Sequence, residues 1–487
     1  MKSLKTMLVA VNAKYVHTNI AVRYISQVCK EQGLDCGFCE FTINEPQFNI
    51  ISKLYAQDCD AYGFSCYIWN IGTVLKLCKS LKKLRPERKI FLGGPDVSFD
   101  AEEILSENPF VDYIICGEGE NCVADLIKMP PDERCVLYGE RIEDMNLLPF
   151  PYADDDLKRT VKGEKLVYYE TSRGCPFSCS YCLSSASSGV RFLPLERVKE
   201  EIERFVKSGA KTIKFVDRTF NADKNRAIRI WEHCLSLEGE TCFHFEIGAD
   251  LLSDAEIDLL KMAKPGQIQF EIGVQTTNQR TISEISRTMN LEKLAKNVSR
   301  LKNETNVMLH LDLIAGLPCE DFLSFKKSFN DVYNLSPDVL QLGFLKLLKG
   351  SALRKNAGNY GIEFCQESPY EVFFTNDLSF DDVIRLKEVE DVLERYFNSG
   401  RFKETLKKAT GYFETPFDFY LELSGYWKAK DLFGQGVKRI SLYSHLYEFL
   451  KDRLCEKELA KVMKTMKTEF EMWHSSGVGT PDWYKIY

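Results

Sequence analysis

Three cysteines stand close together in the segment TSRGCPFSCSYCLSS, which contains Cys175, Cys179 and Cys182. Three residues separate the first pair and two separate the second, directly after a predicted strand. Three thiolates on one loop can bind three irons of a cubic 4Fe–4S cluster and leave the fourth iron open to a small molecule. The alternative is a structural zinc loop, but no nearby His or Cys supplies a fourth ligand at a usual zinc spacing. The spacing therefore favours an iron–sulfur site.

The elements around this loop predict a partial barrel over residues 161–350. Six apolar segments alternate there with helical patterns, as in a (β/α)6 part of a triosephosphate-isomerase-type barrel, where working groups cluster at the strand ends. The predicted strands are Leu166–Thr171, Thr212–Asp217, Cys242–Gly248, Ile268–Gln275, Met308–Ile314 and Val339–Leu345.

A second strand–helix alternation precedes the barrel, in residues 1–127. Near-continuous apolar strands predict a flavodoxin-like (Rossmann) parallel sheet covered on both faces, with ligands at the carboxyl ends of the strands. The predicted strands are Met7–Ala13, Cys36–Ile43, Ala61–Tyr67, Lys89–Gly93 and Tyr113–Cys116. Residues 128–160 contain prolines and acids with little periodicity and predict a linker, and residues 351–487 predict a mostly helical C-terminal domain. The fold class is therefore α/β with a helical accessory domain.

Composition narrows the functional classes. The chain has 487 residues, 64 Lys and Arg against 71 Asp and Glu, and 17 cysteines. The net charge of −7 argues against a generally basic nucleic-acid binder, and no apolar run is long enough to predict a membrane span. The N-terminus MKSLKTMLVAVNA predicts a first strand and not a signal peptide. Without a secretion signal, the cysteines are expected to be reduced packing residues or metal ligands.

The motif CPFSCSYC, with an aromatic residue just before the third cysteine, resembles the radical S-adenosylmethionine (SAM) superfamily. The resemblance implies that SAM binds the open iron and that one electron cleaves it to methionine and a 5′-deoxyadenosyl radical. The segments FHFEIGA, FEIGVQTTN, EISRTMN and HLDLIAGLP resemble the branch containing oxygen-independent coproporphyrinogen oxidase. This implies Glu246, Gln275 and Asp312 near the ribose and amine, Arg287 facing the carboxylate and Tyr181 beside the adenine. The alternative for the polar residues is a solvated strand end.

One position departs from the family pattern. Related enzymes often have two acids at the end of the second barrel strand, whereas this chain has Asp217 followed by Arg218. A role of Asp217 near SAM or substrate and a loop-capping role are both open.

A flavodoxin-like domain before such a barrel resembles the cobalamin-binding branch of the superfamily, the class B radical SAM methyltransferases. The matching segments are GFSCYIWN, FLGGPDVS and ICGEGE, each at the end of a predicted strand. The resemblance implies a cobalamin site that includes Ser65, Gly93, Gly94, Gly117 and Glu118, with the glycines allowing close backbone approach.

Two features of the N-terminal domain limit this assignment. The Asp-x-His-x-x-Gly motif of many cobalamin carriers is absent, so His17 in NAKYVHTN is not assigned as a cobalt ligand. Methylthiotransferases carry a second cluster on three strand-end cysteines, and Cys66 and Cys116 lie near such ends. The first strand ends without a cysteine, however, and Cys36 and Cys39 are expected to pack as small hydrophobic residues.

The function implied by the resemblance is an enzyme that cleaves SAM reductively at a 4Fe–4S cluster and transfers a methyl group, with cobalamin, to an unactivated carbon. The alternatives are a rearrangement, cyclisation or oxidation without methylation, methylthiotransferase-like chemistry, or a non-catalytic carrier. The expected partners are a small-molecule or peptide substrate and an electron donor such as flavodoxin or ferredoxin, without membrane or obvious nucleic acid. An oxygen-sensitive cluster implies a reducing cytoplasm.

Overall fold

The computed structural model describes residues 3–186, 189–474 and 480–486. The chain divides into two units, each made of more than one stretch of sequence. The first unit comprises Met1–Gln269, Lys346–Asn356 and Cys365–Glu371, and the second comprises Phe270–Leu345, Ala357–Phe364 and Val372–Tyr487.

The N-terminal part of the first unit is a six-stranded parallel sheet in the order β2-β1-β3-β4-β5-β6. Its strands are β1 (Thr6–Asn12), β2 (Cys36–Thr42), β3 (Ala61–Ser65), β4 (Lys89–Gly93), β5 (Tyr113–Gly117) and β6 (Cys135–Gly139). The helices between and after them are α1 (Ile20–Glu31), α2 (Gln47–Tyr55), α3 (Ile71–Leu84), α4 (Ala101–Glu107), α5 (Gly119–Lys128) and α6 (Asp154–Lys162). Strands β1, β3, β4 and β5 are almost entirely buried, as expected for a sheet covered on both faces.

Strand β6 is the main difference from the expected organisation of this region. Residues 135–139 lie within the segment 128–160, which the sequence predicts as a linker, but they pair in parallel with β5. The segment CVLYG is only partly buried at the edge of the sheet, so its apolar pattern is weak. Strand β6 joins the sheet through backbone hydrogen bonds to β5 and itself becomes the edge strand.

The rest of the first unit contains the first half of the predicted barrel. Strands β7 (Val167–Tyr169), β10 (Thr212–Phe215) and β11 (Cys242–Glu246) are parallel neighbours, whereas β8 (Ser172–Arg173) and β9 (Arg191–Phe192) form a short antiparallel pair. The helices are α7 (Leu195–Lys207), α8 (Lys224–Ser236) and α9 (Asp254–Leu260). Apolar side chains of the strands are buried beneath these helices, with Phe215 stacked on Phe245 at 4.3 Å.

Two later stretches of sequence return to the first unit, and we call Lys346–Asn356 and Cys365–Glu371 the return segments. The first contains a short helix, Ala352–Lys355. Lys349 lies 3.2 Å from Asp100, and the hydroxyl of Tyr370 donates to Asp96 at 3.0 Å. The return segments are therefore fixed beside the loops that follow β4.

The second unit begins at Phe270, within strand β12 (Ile268–Gln275), and continues with β13 (Met308–Ala315) and β14 (Val339–Phe344), which are parallel neighbours. Helices α10 (Gln279–Glu284), α11 (Leu291–Glu304) and α12 (Phe322–Tyr333) connect them. In β12 and β13 buried residues alternate with partly exposed ones, so polar groups share one face of each strand.

The C-terminal part of the second unit is mostly helical, as the sequence predicts. A short hairpin is formed by β15 (Glu363–Phe364) and β16 (Val372–Phe374). The helices are α13 (Phe380–Tyr396), α14 (Lys403–Ala409), α15 (Pro416–Ala429), α16 (Arg439–Lys451) and α17 (Glu456–Trp473). Trp427, Tyr443 and Phe449 are fully buried among them. Among the helices of the described ranges, none is both long enough and apolar enough to cross a membrane.

Candidate active site

The three predicted cluster ligands lie on one loop of the first unit, between β8 and β9. Gly174 opens this loop with φ +104, and a Cβ there would lie 2.1 Å from the carbonyl oxygen of Gly189, so only glycine fits. Within the described part of the chain, none of Cys175, Cys179 and Cys182 takes part in a disulfide bond, and Cys179 is buried. In the described part of the chain, no group of three or more His, Cys, Asp or Glu side chains is arranged to hold one metal ion. A loop that carries three thiols has the donor set that an iron–sulfur cluster requires.

Asp217 fixes the strand that leads into the cluster loop. Its carboxylate accepts hydrogen bonds from the amide of Thr171 at 3.0 Å, the hydroxyl of Thr171 at 2.6 Å and the hydroxyl of Ser172 at 2.5 Å. Asp217 is 2% exposed, and burial raises its pKa despite these bonds. Of its two possible roles, this geometry supports loop capping. The hydroxyl of Thr219, two residues later, lies 3.7 Å from the sulfur of Cys175.

An ion-pair network joins the cluster loop to the N-terminal sheet. The Arg173 guanidinium lies 2.9 Å from Glu170, 3.2 Å from Glu118 and 2.5 Å from Glu120, and Arg191 also pairs with Glu118. Burial alone would raise the pKa of Glu118, but the hydrogen bond from Arg191 holds it below its ordinary value. The structure thus places Glu118, predicted to contact cobalamin, in a set of ion pairs within the first unit.

The other four residues predicted for cobalamin share one cavity. Ser65, Gly93, Gly94 and Gly117 line a space of about 590 Å³ at the carboxyl ends of β3, β4 and β5, which we call the apolar slot. Its remaining walls include Leu8, Val22, Gly63, Phe91, Ile115 and Val123. Gly63, Phe91 and Ile115 belong to the segments GFSCYIWN, FLGGPDVS and ICGEGE, which resemble the cobalamin-binding branch. The other three were not predicted, although the apolar faces of α1 and α5 predict that Val22 and Val123 meet the sheet.

Close packing around the slot depends on two glycines with positive φ. Gly94 has φ +115, and a Cβ there would lie 2.5 Å from the carbonyl oxygen of Cys66. Gly117 has φ +84, and its Cβ would lie 2.6 Å from the carbonyl oxygen of Gly139. Both positions therefore require glycine, because the backbone packs closely there against the loop after β3 and against β6, and neither glycine adds a side chain to the slot wall.

A second cavity of about 1270 Å³, the inner cavity, shares Ala21 and Tyr67 with the apolar slot. Its walls include Asn12, His17, Tyr24, Tyr168, Glu170 and Arg173. His17 therefore lies in a cavity wall, and its Nδ1 is 2.5 Å from the hydroxyl of Tyr168. Burial and nearby lysines lower the pKa of His17, so the ring is neutral at physiological pH.

A third cavity of about 1020 Å³, the outer cavity, shares Tyr67, Trp69 and Arg218 with the inner one. Tyr67 and Trp69 are stacked, with ring centroids 4.4 Å apart and planes 5° from parallel. Leu183 and Ser184, directly after the last cluster cysteine, also line it. The three cavities therefore adjoin one another in the first unit through shared lining residues, from the apolar slot to the cluster loop.

The five residues predicted to bind SAM are divided between the units. Tyr181 lies on the cluster loop and Glu246 ends β11, both in the first unit, whereas Gln275, Arg287 and Asp312 belong to the second.

In the second unit, Gln275 and Arg287 meet at Gly273. The guanidinium of Arg287 donates to the carbonyl of Gly273, and a Cβ on Gly273 would lie 2.3 Å from Nε2 of Gln275. Oε1 of Gln275 is buried and accepts no hydrogen bond from the described residues, so it fits a ligand that donates one. Asp312, on β13, lies 3.2 Å from His310.

A buried carboxylate that the sequence analysis did not single out supports this part of the second unit. Gln275 has φ +71, and the next residue, Thr276, donates to Glu320 at 2.6 Å. Ser328 also donates to Glu320, at 2.7 Å, and Glu320 is 1% exposed. Burial raises the pKa of Glu320 to about 7. The segment AGLPCED carries it directly after a strand, which is the one sequence signal that could have identified it.

Family models match three successive parts of this chain. The B12 binding domain matches residues 7–127, the radical SAM superfamily matches residues 169–332, and a protein family of unknown function, DUF4080, matches residues 358–486. The chain carries a B12-binding domain and a radical SAM domain. This confirms the predicted resemblance and the predicted cofactors: a 4Fe–4S cluster and SAM with the radical SAM domain, and cobalamin with the B12-binding domain.

Two curated relatives of this radical SAM protein are methyltransferases. It is 26% identical over 299 residues to the cobalamin-dependent radical SAM methyltransferase TokK of Streptomyces tokunonensis, covering 55% of this chain and 44% of TokK. It is 26% identical over 301 residues to 2-(S-pantetheinyl)-carbapenam-3-carboxylate methyltransferase of Streptantibioticus cattleyicolor, with the same coverage of 55% and 44%. The chain thus spans less than half the length of these relatives.

A solved structure shows the same fold. The cobalamin-dependent SAM radical enzyme OxsB, solved with aqua-cobalamin and SAM bound, superposes with a TM-score of 0.63 at 15% identity, over 96% of this chain and 79% of OxsB. The likeness confirms the predicted fold class, with a parallel N-terminal sheet, a radical SAM partial barrel and a helical C-terminal region. The domain boundaries and the assignment of individual site residues stay predictions.

Proposed function

We propose that this radical SAM enzyme is a cobalamin-dependent methyltransferase that transfers a methyl group to an unactivated carbon. The observation that carries the proposal is the series of three cavities in the first unit. The glycine-lined apolar slot shares lining residues with the inner cavity, and the inner cavity shares lining residues with the outer cavity, whose lining includes two residues of the cluster loop. The tail and ring of cobalamin and a substrate need such adjoining spaces.

The residues fit the groups proposed for them. Gly94 and Gly117 line the slot without side chains, which suits the nucleotide tail of cobalamin, and the ring is assigned to the adjoining inner cavity. When bound, the cluster supplies an electron that cleaves SAM, and cobalamin supplies the methyl group. In the second unit, Oε1 of Gln275 offers an acceptor for a SAM donor, while the bidentate guanidinium of Arg287 suits its carboxylate.

The chain's own residues hold these spaces in shape. Asp217 ties the start of the cluster loop to β10, and the Arg173 network ties that loop to the loop after β5. Such buried, hydrogen-bonded groups hold the cavity walls in fixed positions. A reaction between three bound molecules requires fixed positions, because the reacting atoms must be held close together. For the surroundings of the enzyme we propose a reducing cytoplasm and a flavodoxin or ferredoxin as electron donor, because the cluster is oxygen-sensitive. The substrate is a small molecule or peptide.

The proposal is tested with the full chain, reconstituted anaerobically with iron, sulfide and hydroxocobalamin. With a reductant and SAM carrying a deuterated methyl group, the protein should form both 5′-deoxyadenosine and S-adenosylhomocysteine, measured by mass spectrometry. Formation of 5′-deoxyadenosine alone would favour chemistry without methylation. Absence of both products, in protein whose absorbance shows an intact cluster and bound corrin, would overturn the proposal.

A further inference from the structure

The outer cavity combines an aromatic wall with a guanidinium, that of Arg218, for which the described residues offer no partner. Tyr67 and Trp69 form a stacked pair on one side, and the Trp69 indole is held by a hydrogen bond from Nε1 to the carbonyl of Val11 at 3.2 Å. Trp69 is nonetheless 44% exposed. A large aromatic ring that is fixed in place yet open to a cavity is a surface on which a flat ligand can stack.

Arg218 lies at the junction of the inner and outer cavities. Among the residues that the structure describes, its side chain forms no ion pair and no hydrogen bond. The other arginines of this region are engaged: Arg173 pairs with three glutamates, and Arg191 with Glu118. Arg226 donates to the carbonyl of Thr171. The guanidinium groups of these neighbouring arginines are therefore paired with protein groups, whereas the guanidinium of Arg218 faces the two cavities.

The charged groups of the outer cavity leave an excess of positive charge. Asp96 is its only carboxylate among the described lining residues, and it is 5% exposed and accepts from Tyr370 at 3.0 Å. Lys349, the second cation of the lining, lies 3.2 Å from Asp100. Within the described ranges, no carboxylate pairs with Arg218. A charge exposed to a cavity with aromatic walls is best complemented by an anion, because Arg presents a planar fork that matches a carboxylate.

The position of Arg218 is close to where the reaction would occur. The adjacent Thr219 lies 3.7 Å from the sulfur of Cys175, and Leu183 follows the last cluster cysteine by one residue. A molecule that stacks on Trp69 and pairs with Arg218 would therefore lie beside the cluster loop.

We infer that the outer cavity binds the substrate of the reaction proposed above, an inference that rests on the proposed function. This substrate is a flat, unsaturated compound with a carboxylate that pairs with Arg218. The apolar part stacks on the Tyr67–Trp69 pair. The carboxylate fixes its orientation, so Arg218 selects acids over the corresponding neutral amides.

A matched pair of probes tests this assignment without turnover. Indole-3-acetate and indole-3-acetamide have nearly the same shape and differ in charge. Their binding to the cluster- and cobalamin-loaded full chain is measured by anaerobic equilibrium dialysis with quantification of the free probe. The acid should bind about tenfold tighter or more, the range of a charge-assisted hydrogen-bond pair. Arg218→Gln should remove the preference, Arg218→Lys should restore part of it, and the amide should bind all three proteins equally.

Arg204→Gln is the control, because Arg204 also carries a guanidinium but lies on the surface beside Asp154, away from the outer cavity. It should keep the wild-type preference. Equal binding of acid and amide, absence of binding by both probes, or a preference that survives in Arg218→Gln would overturn the inference. If any of these occurs while the wild type still forms 5′-deoxyadenosine and S-adenosylhomocysteine, the proposed function stands and the substrate assignment fails alone.

Discussion

Replacing Gly93 with valine tests whether the apolar slot holds the tail of cobalamin. Gly93 ends β4, and a Cβ there would lie 3.7 Å from the carbonyl oxygen of Ile115 and 3.8 Å from its Cβ. These are ordinary contact distances, and its φ is not positive, so the strand accommodates a β-branched residue. The methyl groups of valine would occupy the slot and meet the ligand. The variant is therefore expected to fold and to bind cobalamin more weakly.

The expected loss of cobalamin affinity follows from the close contact between the ligand and the wall of the apolar slot. Inserting extra methyl groups into a closely packed contact costs about 1–3 kcal/mol. That penalty weakens binding by roughly 5- to 150-fold. The assay is an anaerobic absorbance titration of the cluster-loaded protein with hydroxocobalamin, together with the melting temperature of the cobalamin-free protein.

Gly94→Ala is the matched control, since it changes the next residue and adds less volume. Gly94 has φ +115, and its Cβ would lie 2.5 Å from the carbonyl oxygen of Cys66, so alanine strains the fold itself. Strain of this kind costs about 1–3 kcal/mol, and each kcal/mol lowers the melting temperature by about 2–4 °C. Gly93→Val should therefore weaken binding at an unchanged melting temperature, whereas Gly94→Ala should lower the melting temperature. Wild-type affinity in a stably folded Gly93→Val protein would refute the placement of cobalamin in the slot.

Three further changes test the cluster loop and the second unit. Cys179→Ala should abolish formation of 5′-deoxyadenosine, whereas Cys39→Ala, on β2, should leave it largely intact; equal loss would mean that an N-terminal thiol has a role in the chemistry. Asp217→Ala removes the acceptor of three hydrogen bonds at Thr171 and Ser172 and should lower the iron bound after reconstitution, so wild-type iron content would contradict its capping role. Burial raises the pKa of Glu320 from 4.5 to about 7, so the wild type loses stability as pH rises through this range. Glu320→Gln carries no charge there, so at pH 8 it should be more stable than the wild type by up to about 3 kcal/mol. Urea unfolding at pH 4 and pH 8 measures this, and the same pH dependence in both proteins would refute it.

The parts of the site that could be predicted from the sequence are those set by local spacing or by strand ends. Cys175, Cys179 and Cys182 fall on one loop because they are neighbours in the chain. Gly93 and Gly117 meet in one cavity because parallel strands place their carboxyl ends at the same edge. Neither result needs knowledge of how distant segments pack.

The parts that could not be predicted depend on side-chain direction or on distant segments. Glu118 follows a strand end, as the prediction requires, yet its carboxylate pairs with Arg173 and Arg191, which are more than fifty residues away. Lys349 reaches the outer cavity only because the return segments fold back to the first unit. Strand β6 joins the sheet through backbone bonds, which its short and partly exposed sequence does not signal.

The residue types of Asp217 and Arg218 left the role of Asp217 open, but the two-residue alternation of side chains along a β-strand could have decided it. Side chains alternate between the two faces of an extended segment. Along β10 and the residues after it, Ile213, Phe215 and Asp217 are buried, whereas Val216 and Arg218 line the inner cavity. The acid that resembles a family position is therefore on the packed face, where it holds the cluster loop. The arginine, which departs from the family pattern, is on the cavity face. Asp217 holds the fold through three hydrogen bonds, whereas Arg218 faces the cavity proposed for the substrate, so we expect a substitution at position 218, and not at 217, to change which ligand is bound.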